Sequence, residues 1–285
     1  MNFKPIQLHS TMVIDEEQKK NLKLKNEVTL FNSRFEFLKS SCGLRPGKIH
    51  LFLGTTGTGK TTLIRSIQTD CAKICPITVY SAEEDAEESQ YLISKRNLDE
   101  DILKNINYLD EDTVLKYVKP EDFNGLFEMI TKTVVETNSK VLFFDNLTTA
   151  FYEGKRPGEQ VVFYNALRSL GKRLNIPIVL VAHTKDGVKD TQGDLICPTD
   201  IRNSKHPSNR AEYLYIFQRF SIKVGYGRED LVATIRVLKS RLHDNSATNY
   251  ILGFDSYKKE YTNDRSVSFD TFNDLFKSRL RLGMK

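Results

Sequence analysis

One octapeptide constrains the whole chain: Gly54-Thr55-Thr56-Gly57-Thr58-Gly59-Lys60-Thr61. It fits the spacing G-x-x-x-x-G-K-[ST], in which the backbone N–H groups of a glycine-rich turn close around an anion. Its context decides whether the motif is real. Upstream, Lys48-Ile49-His50-Leu51-Phe52-Leu53 is a short apolar run of strand character, entered through the turn Gly43-Leu44-Arg45-Pro46-Gly47. Downstream, residues from about Lys60 to Cys75 read as a helix, whose N-terminus adds its partial positive charge at the same point. Strand, phosphate turn and helix in that order predict that Lys60 reaches the β- and γ-phosphates of ATP. Thr61 is then expected to hold Mg²⁺, with Thr62 closing the binding segment.

The remaining elements must form a sheet around that turn. Ile77-Thr78-Val79-Tyr80, Val141-Leu142-Phe143-Phe144 and residues 176–182 are further strand runs, and helical sequence at 86–96, 123–137 and 161–173 alternates with them. This alternation predicts an α/β fold with a mainly parallel sheet and helices on both faces. After residue 210 the pattern changes. Residues 213–218, 232–239 and 249–254 read as strands joined by short turns, expected to be antiparallel at the C-terminal edge. No apolar run approaches the ~18 residues of a membrane span, and the first residues lack the apolar core of a signal peptide. A cytoplasmic protein is expected. Cys71 and Cys75 lie one helical turn apart with no matching pair, so free thiols are expected rather than zinc. The net charge of +5 permits a nucleic-acid partner without arguing for one.

Phosphate chemistry needs a second metal contact and a group for the attacking water. Asp145 closes the run Val141–Phe144, where an acid can hold Mg²⁺ through its water shell; a helix-capping aspartate is the competing reading. Glu83, in Ser81-Ala82-Glu83-Glu84, follows the 77–80 strand and can orient and deprotonate water. The competing reading is acidic decoration of the next helix, a role that suits Glu84 and Asp85 better.

These motifs together resemble the RecA-like ATPases of the RepA/DnaB-type hexameric DNA helicase group, over about Phe35 to Phe254. Gly43-Leu44-x-Pro46-Gly47 resembles the family's entry to the phosphate loop. Ser81-Ala82-Glu83 resembles the segment of its catalytic glutamate, and Asp145-Asn146-Leu147 its Walker B end. Val181-Ala182-His183-Thr184-Lys185 resembles the strand end that senses the γ-phosphate, which implies that role for His183. Asp200-Ile201-Arg202-Asn203-Ser204 resembles the close of the second central loop. Arg236-Val237-Leu238-Lys239-Ser240-Arg241 resembles the K-x-R strand whose Lys and Arg reach a neighbouring subunit's nucleotide. Lys239 and Arg241 would share one strand face, which a solvated edge strand also explains. Residues 1–30 read as a polar arm and 263–285 as a basic tail whose Phe269, Phe272, Leu275 and Phe276 suit an amphipathic helix; between them the resemblance implies a RecA-like ATPase domain at 31–262. AAA+ architecture is disfavoured, because the chain shows neither an acidic pair at the Walker B end nor a separate helical lid.

The family's DNA lies in a central channel lined by two loops. Here the first would carry Lys155 and Arg156, beside Phe151 and Tyr152, which fit core packing and base contact equally. The second would carry Lys185, Arg202 and Lys205. From 185 to 210 five basic residues face four aspartates, a feeble footprint for a phosphate backbone. The first expectation is a ring-shaped, self-assembling helicase, with six subunits and a replication initiator or loader as partner, acting on single-stranded DNA. The alternatives are a DNA-binding ATPase that does not unwind and a KaiC-like regulatory ATPase indifferent to DNA.

Overall fold

The computed structural model describes residues 33–41, 43–96, 98–119, 122–147, 150, 157–185, 195–202, 206–224, 228–240 and 248–280. A helix α1 (Glu36–Ser40) leads into β1 (Ile49–Gly54), the phosphate turn and α2 (Lys60–Ala72). Then follow β2 (Ile77–Ser81), α3 (Ala86–Ser94), α4 (Glu100–Lys104), β3 (Ile106–Asp110), α5 (Glu111–Leu115), α6 (Phe123–Glu136), β4 (Val141–Asp145), α7 (Pro157–Leu174) and β5 (Ile178–His183). After α8 (His206–Arg210) come β6 (Tyr213–Val224), β7 (Arg228–Ser240), β8 (Thr248–Asp255), β9 (Glu260–Val267) and α9 (Phe269–Leu280).

Among the described residues nine strands join one sheet in the order β3-β2-β4-β5-β1-β6-β7-β8-β9. From β3 to β6 every pairing is parallel, and from β6 to β9 every pairing is antiparallel. This is the RecA-like α/β core expected from the sequence, with its antiparallel strands at the C-terminal edge. Alternation along the strands builds two cores. Leu51 and Leu53 of β1 join Leu142, Phe144, Leu180 and the inner sides of α6 and α7. Phe52 points the other way, into a layer with Phe143, Val181, Phe217 and Leu63, Ile64 and Ile67 of α2. A parallel strand buried on both faces reads as a continuous apolar run, which is why β1, β4 and β5 stand out in the sequence.

Two strands that the sequence did not signal complete the sheet's edges. β3 is only half buried and carries Asn107, and β9 reads Glu-Tyr-Thr-Asn-Asp-Arg-Ser-Val. Edge strands with one wet side lack the apolar run that marks the others. β9 also continues past residue 262, where the ATPase domain was expected to end. The expected amphipathic tail segment is α9, whose Phe272 is fully buried beneath the Arg236 guanidinium, 6.0 Å from its ring centre. Among the described residues no helix is long and apolar enough to cross a membrane.

Candidate functional site

The parallel half brings four strand ends to one level. Gly54 ending β1 pairs in register with His183 ending β5, and Ser81 ending β2 pairs with Asp145 ending β4. Residues that follow a strand by one or two positions therefore converge, and the phosphate turn opens among them.

The turn itself needs its glycines. Gly57 and Gly59 have φ of 75° and 98°, a left-handed backbone that costs a side-chain-bearing residue about 1–2 kcal/mol. A Cβ on Gly54 would stand 2.5 Å from the Phe217 carbonyl of β6. Gly59 caps α2 from outside, so the first amides of that helix face the turn's interior. Lys60 is buried, its Nζ donating to the Thr55 carbonyl at 2.5 Å, and the Thr58 hydroxyl donates to the same carbonyl at 2.8 Å. Each of these features belongs to a cradle for a polyphosphate.

Asp145 is 4% exposed, and both its carboxylate oxygens lack a hydrogen-bond partner. Burial pushes its pKa well up. The Thr61 hydroxyl and the Lys60 ammonium act against that shift, and Glu83 and Glu84 add to it. Thr61 thus favours the charged form without completing a hydrogen bond to it. An orphaned buried carboxylate beside Thr61 and Lys60 fits a hydrated divalent cation, which would repay its desolvation. Thr61 and Asp145 are the residues that would hold Mg²⁺.

His183, 5% exposed, links the rest. Its Nε2 lies 3.0 Å from Glu83 Oε1 and 2.7 Å from the side-chain amide of Asn146, and its Nδ1 lies 3.2 Å from the Thr56 hydroxyl. The position of the imidazole proton sets these roles: with it on Nε2, His183 donates to Glu83 and Thr56 donates to Nδ1, and Asn146 then has to present its amide oxygen in place of the nitrogen that faces Nε2. Glu83 keeps about a third of its side chain open to solvent, so water reaches its carboxylate. Asn146 and Thr56 entered the sequence analysis only as members of motifs. Their contact with His183 shows only once β1, β4 and β5 lie side by side.

The other expected residues divide. Lys185 and Arg202 are brought together: Thr184 bridges Ile201, Lys185 N–H donates to the Asp200 carbonyl at 2.6 Å, and Arg202 N–H donates to the His183 carbonyl at 2.9 Å. Lys239 lies apart, its Nζ donating to the Asn209 carbonyl at 2.8 Å. Arg241, Lys155, Arg156 and Lys205 lie outside the described residues, as do Phe151 and Tyr152. Arg219 of β6 was not expected near the site, yet its guanidinium and the Tyr261 hydroxyl both lie within 4 Å of the place a Gly59 Cβ would take, and its charge acts on that hydroxyl. An arginine two residues beyond the buried Phe217 gave no signal to find it by.

Among solved structures, the fold is similar to that of the KaiC-like protein PH0186 from the hyperthermophilic archaeon Pyrococcus horikoshii OT3. The match has a TM-score of 0.62 and 14% identity, over 84% of this chain and 99% of that one. No curated protein matches the sequence. Residues 50–196 match the ATPase family associated with various cellular activities, a stretch containing the phosphate turn, Glu83, Asp145 and His183. This match goes against the expectation that AAA+ architecture is disfavoured, which rested on the want of an acidic pair at the β4 end and of a separate helical lid. The sheet supplies a further acid from β2, since Glu83 arrives beside His183 at the same level. The site is that of a P-loop ATPase, and the chain belongs to the ATPase family associated with various cellular activities (AAA).

Proposed function

We propose that this chain hydrolyses ATP with Glu83 as the general base, and that His183 couples Glu83 to the state of the phosphate turn. The observation that carries the reading is the continuous hydrogen-bond chain Thr56–His183–Glu83, which joins the turn to a carboxylate open to water. Lys60 and the first amides of α2 bind and orient the polyphosphate. Glu83 takes the proton of the attacking water. His183, buried and held on both ring nitrogens, fixes the direction of the Glu83 carboxylate and registers a shift of Thr56. Thr61 and Asp145 would hold Mg²⁺, which when bound would supply charge neutralisation on the phosphates.

As the work driven by this turnover, we favour a ring of copies, six on the sequence resemblance, that moves along single-stranded DNA and unwinds it. The motifs from Gly43 to Arg241 support that reading. A KaiC-like regulatory ATPase is the second reading, and the structural likeness to a KaiC-like protein favours it. One measurement separates them: ATP hydrolysis with and without single-stranded DNA, with Lys60→Ala as the blank. Stimulation of tenfold or more that collapses with salt supports the motor. Robust turnover indifferent to DNA supports the regulatory ATPase. No Lys60-dependent turnover in any condition overturns the hydrolase reading.

A further inference from the structure

Glu84, beside the proposed base, was expected to decorate the start of the following helix. It does not. Asp85 is the residue that caps α3, accepting from Glu88 N–H at 2.6 Å. Glu84 turns instead beneath the site and pairs with the guanidinium of Arg65 on α2, the helix that begins with Lys60 and Thr61. Arg65 is 4% exposed at its side chain and Glu84 23%. Among the described residues Glu84 is the only acid in ion-pair contact with Arg65. The second oxygen-bound donor on Glu84 is the Ser89 hydroxyl at 3.0 Å, and Ser89 is buried on α3.

We infer that Arg65 is a positioning residue for the hydrolysis step: through Glu84 it locks the Glu83 turn to the phosphate helix. The inference rests on the proposed role of Glu83. The turn is pinned on every side but one. Ala82 N–H donates to the Asp145 carbonyl at 2.7 Å, Glu84 N–H donates to the Ser81 hydroxyl at 3.0 Å, and the Glu84 side chain is held by α2 and α3. The chain bends at residues 82–84, and with the Glu84 side chain held on Arg65 the neighbouring Glu83 side chain is the one that meets His183. Arg65 meets Glu84 through one guanidinium nitrogen, Nη2 on Oε2, the oxygen that Ser89 also binds, and its rigid planar head fixes that contact more narrowly than a flexible ammonium would. A buried charge pair is poor evidence for stability, since an apolar pair of similar volume commonly does as well. Its fit here is geometric: α2 carries both the residues that bind phosphate and the cation that aims the base. The Arg65 carbonyl accepts from Arg96 Nη1 at 3.0 Å, which holds this part of α2 in place from the end of α3.

The test separates rate from binding in the full-length protein. Arg65→Lys keeps the charge and loses the planar head; Arg65→Met loses both and keeps the stem. Single-turnover ATP hydrolysis should fall in the order wild type, Arg65→Lys, Arg65→Met, by about tenfold and then about a hundredfold. The dissociation constant for ATP should stay within about threefold of wild type throughout. Glu84→Gln should match Arg65→Met, and the double variant Arg65→Met/Glu84→Gln should be no slower than either single variant. A purely structural role would move the melting temperature and the dissociation constant with the rate, or leave all three alone, and either result overturns the inference. Wild-type turnover with an unaltered Arg65→Lys rate overturns it alone. Absence of wild-type turnover overturns the hydrolase reading, and this inference with it.

Discussion

The parallel and antiparallel halves of the sheet treat the residues at their strand ends in opposite ways. In the parallel half, β1, β2, β4 and β5 all point the same way, so "end of a strand" and "edge of the phosphate site" are the same place. Gly54, Asp145, His183 and Glu83 meet there because of it. In the antiparallel half direction alternates. Lys239 also stands near the end of its strand, but β7 runs down where β6 runs up. Lys239 pairs with Leu214, which pairs with Leu51, three residues before Gly54. That sets Lys239 about 10 Å below the phosphate level and two strands across, each strand about 4.8 Å wide. Alternation told which face Lys239 occupies and nothing of its height. A cation there does not reach its own chain's nucleotide, so it serves a neighbouring copy or a local structural bond.

The test with the largest expected effect breaks that comparison at its weakest point. If Lys239 and Arg241 serve a neighbour, Arg241→Ala should lower turnover by about 10³–10⁵-fold, the range for an arginine finger, with nucleotide binding intact. Mixing Arg241→Ala with Lys60→Ala subunits should then restore activity that neither has alone. If Lys239 only staples α8 through the Asn209 carbonyl, Lys239→Ala leaves turnover unchanged and costs about 1 kcal/mol of stability in a denaturant titration. Next in size is Glu83→Gln. As the base of the parallel half it should cost about 10²–10⁴-fold in single-turnover rate while ATP binding survives. An unchanged rate removes Glu83 from the mechanism. Third is Asp145→Asn, where the expected effect on stability is a gain. The buried, unpartnered carboxylate is a liability without a cation, so the variant should gain about 1–2 kcal/mol in nucleotide-free thermal unfolding and lose Mg²⁺-dependent turnover. A loss of stability would mean that Asp145 is satisfied without metal.

The same contrast explains what could be read from the residues alone. Phosphate turn, helix and the apolar runs of β1, β4 and β5 are legible because burial on both faces forces a continuous apolar run, and parallel packing then places their ends. β3 and β9 escaped because one side of each is wet. Thr56, Asn146 and Arg219 escaped for a different reason: their partners lie 127, 37 and some 40 residues away in sequence. Glu84 was misread because charge near a helix start is usually a cap, and only the position of α2 shows that Arg65 waits beneath it.

The smallest expected effect tests the seam between the halves. His50 of β1 pairs in parallel with Val179 of β5 on one side and, on the other, with Tyr213 of β6, the strand whose far edge opens the antiparallel half. It is fully buried, its ring stacked on Tyr213 at 4.3 Å, its Nε2 accepting from Arg45 N–H at 3.0 Å and its Nδ1 3.3 Å from the Tyr215 hydroxyl. Burial, with the Arg45 charge, lowers its pKa to about 3. The unfolded chain takes up a proton near pH 6.5, whereas the folded chain refuses it until about pH 3. Between those values the unfolded state binds more protons, so stability is complete above about pH 6.5 and falls as pH drops. The limiting slope is about 1.4 kcal/mol per pH unit. Asp145, whose buried carboxyl is pushed up, contributes the opposite slope across pH 5 to 7 in both proteins, so the difference between wild type and His50→Gln isolates the histidine. Urea unfolding across that window should show wild-type stability rising with pH more steeply than that of His50→Gln, by up to about 1.4 kcal/mol per pH unit, whatever the variant's absolute stability. Because His50 bonds to both halves, the loss should appear as one cooperative transition; two separate transitions would mean that the antiparallel half melts on its own and that the seam does not bind them into one unit.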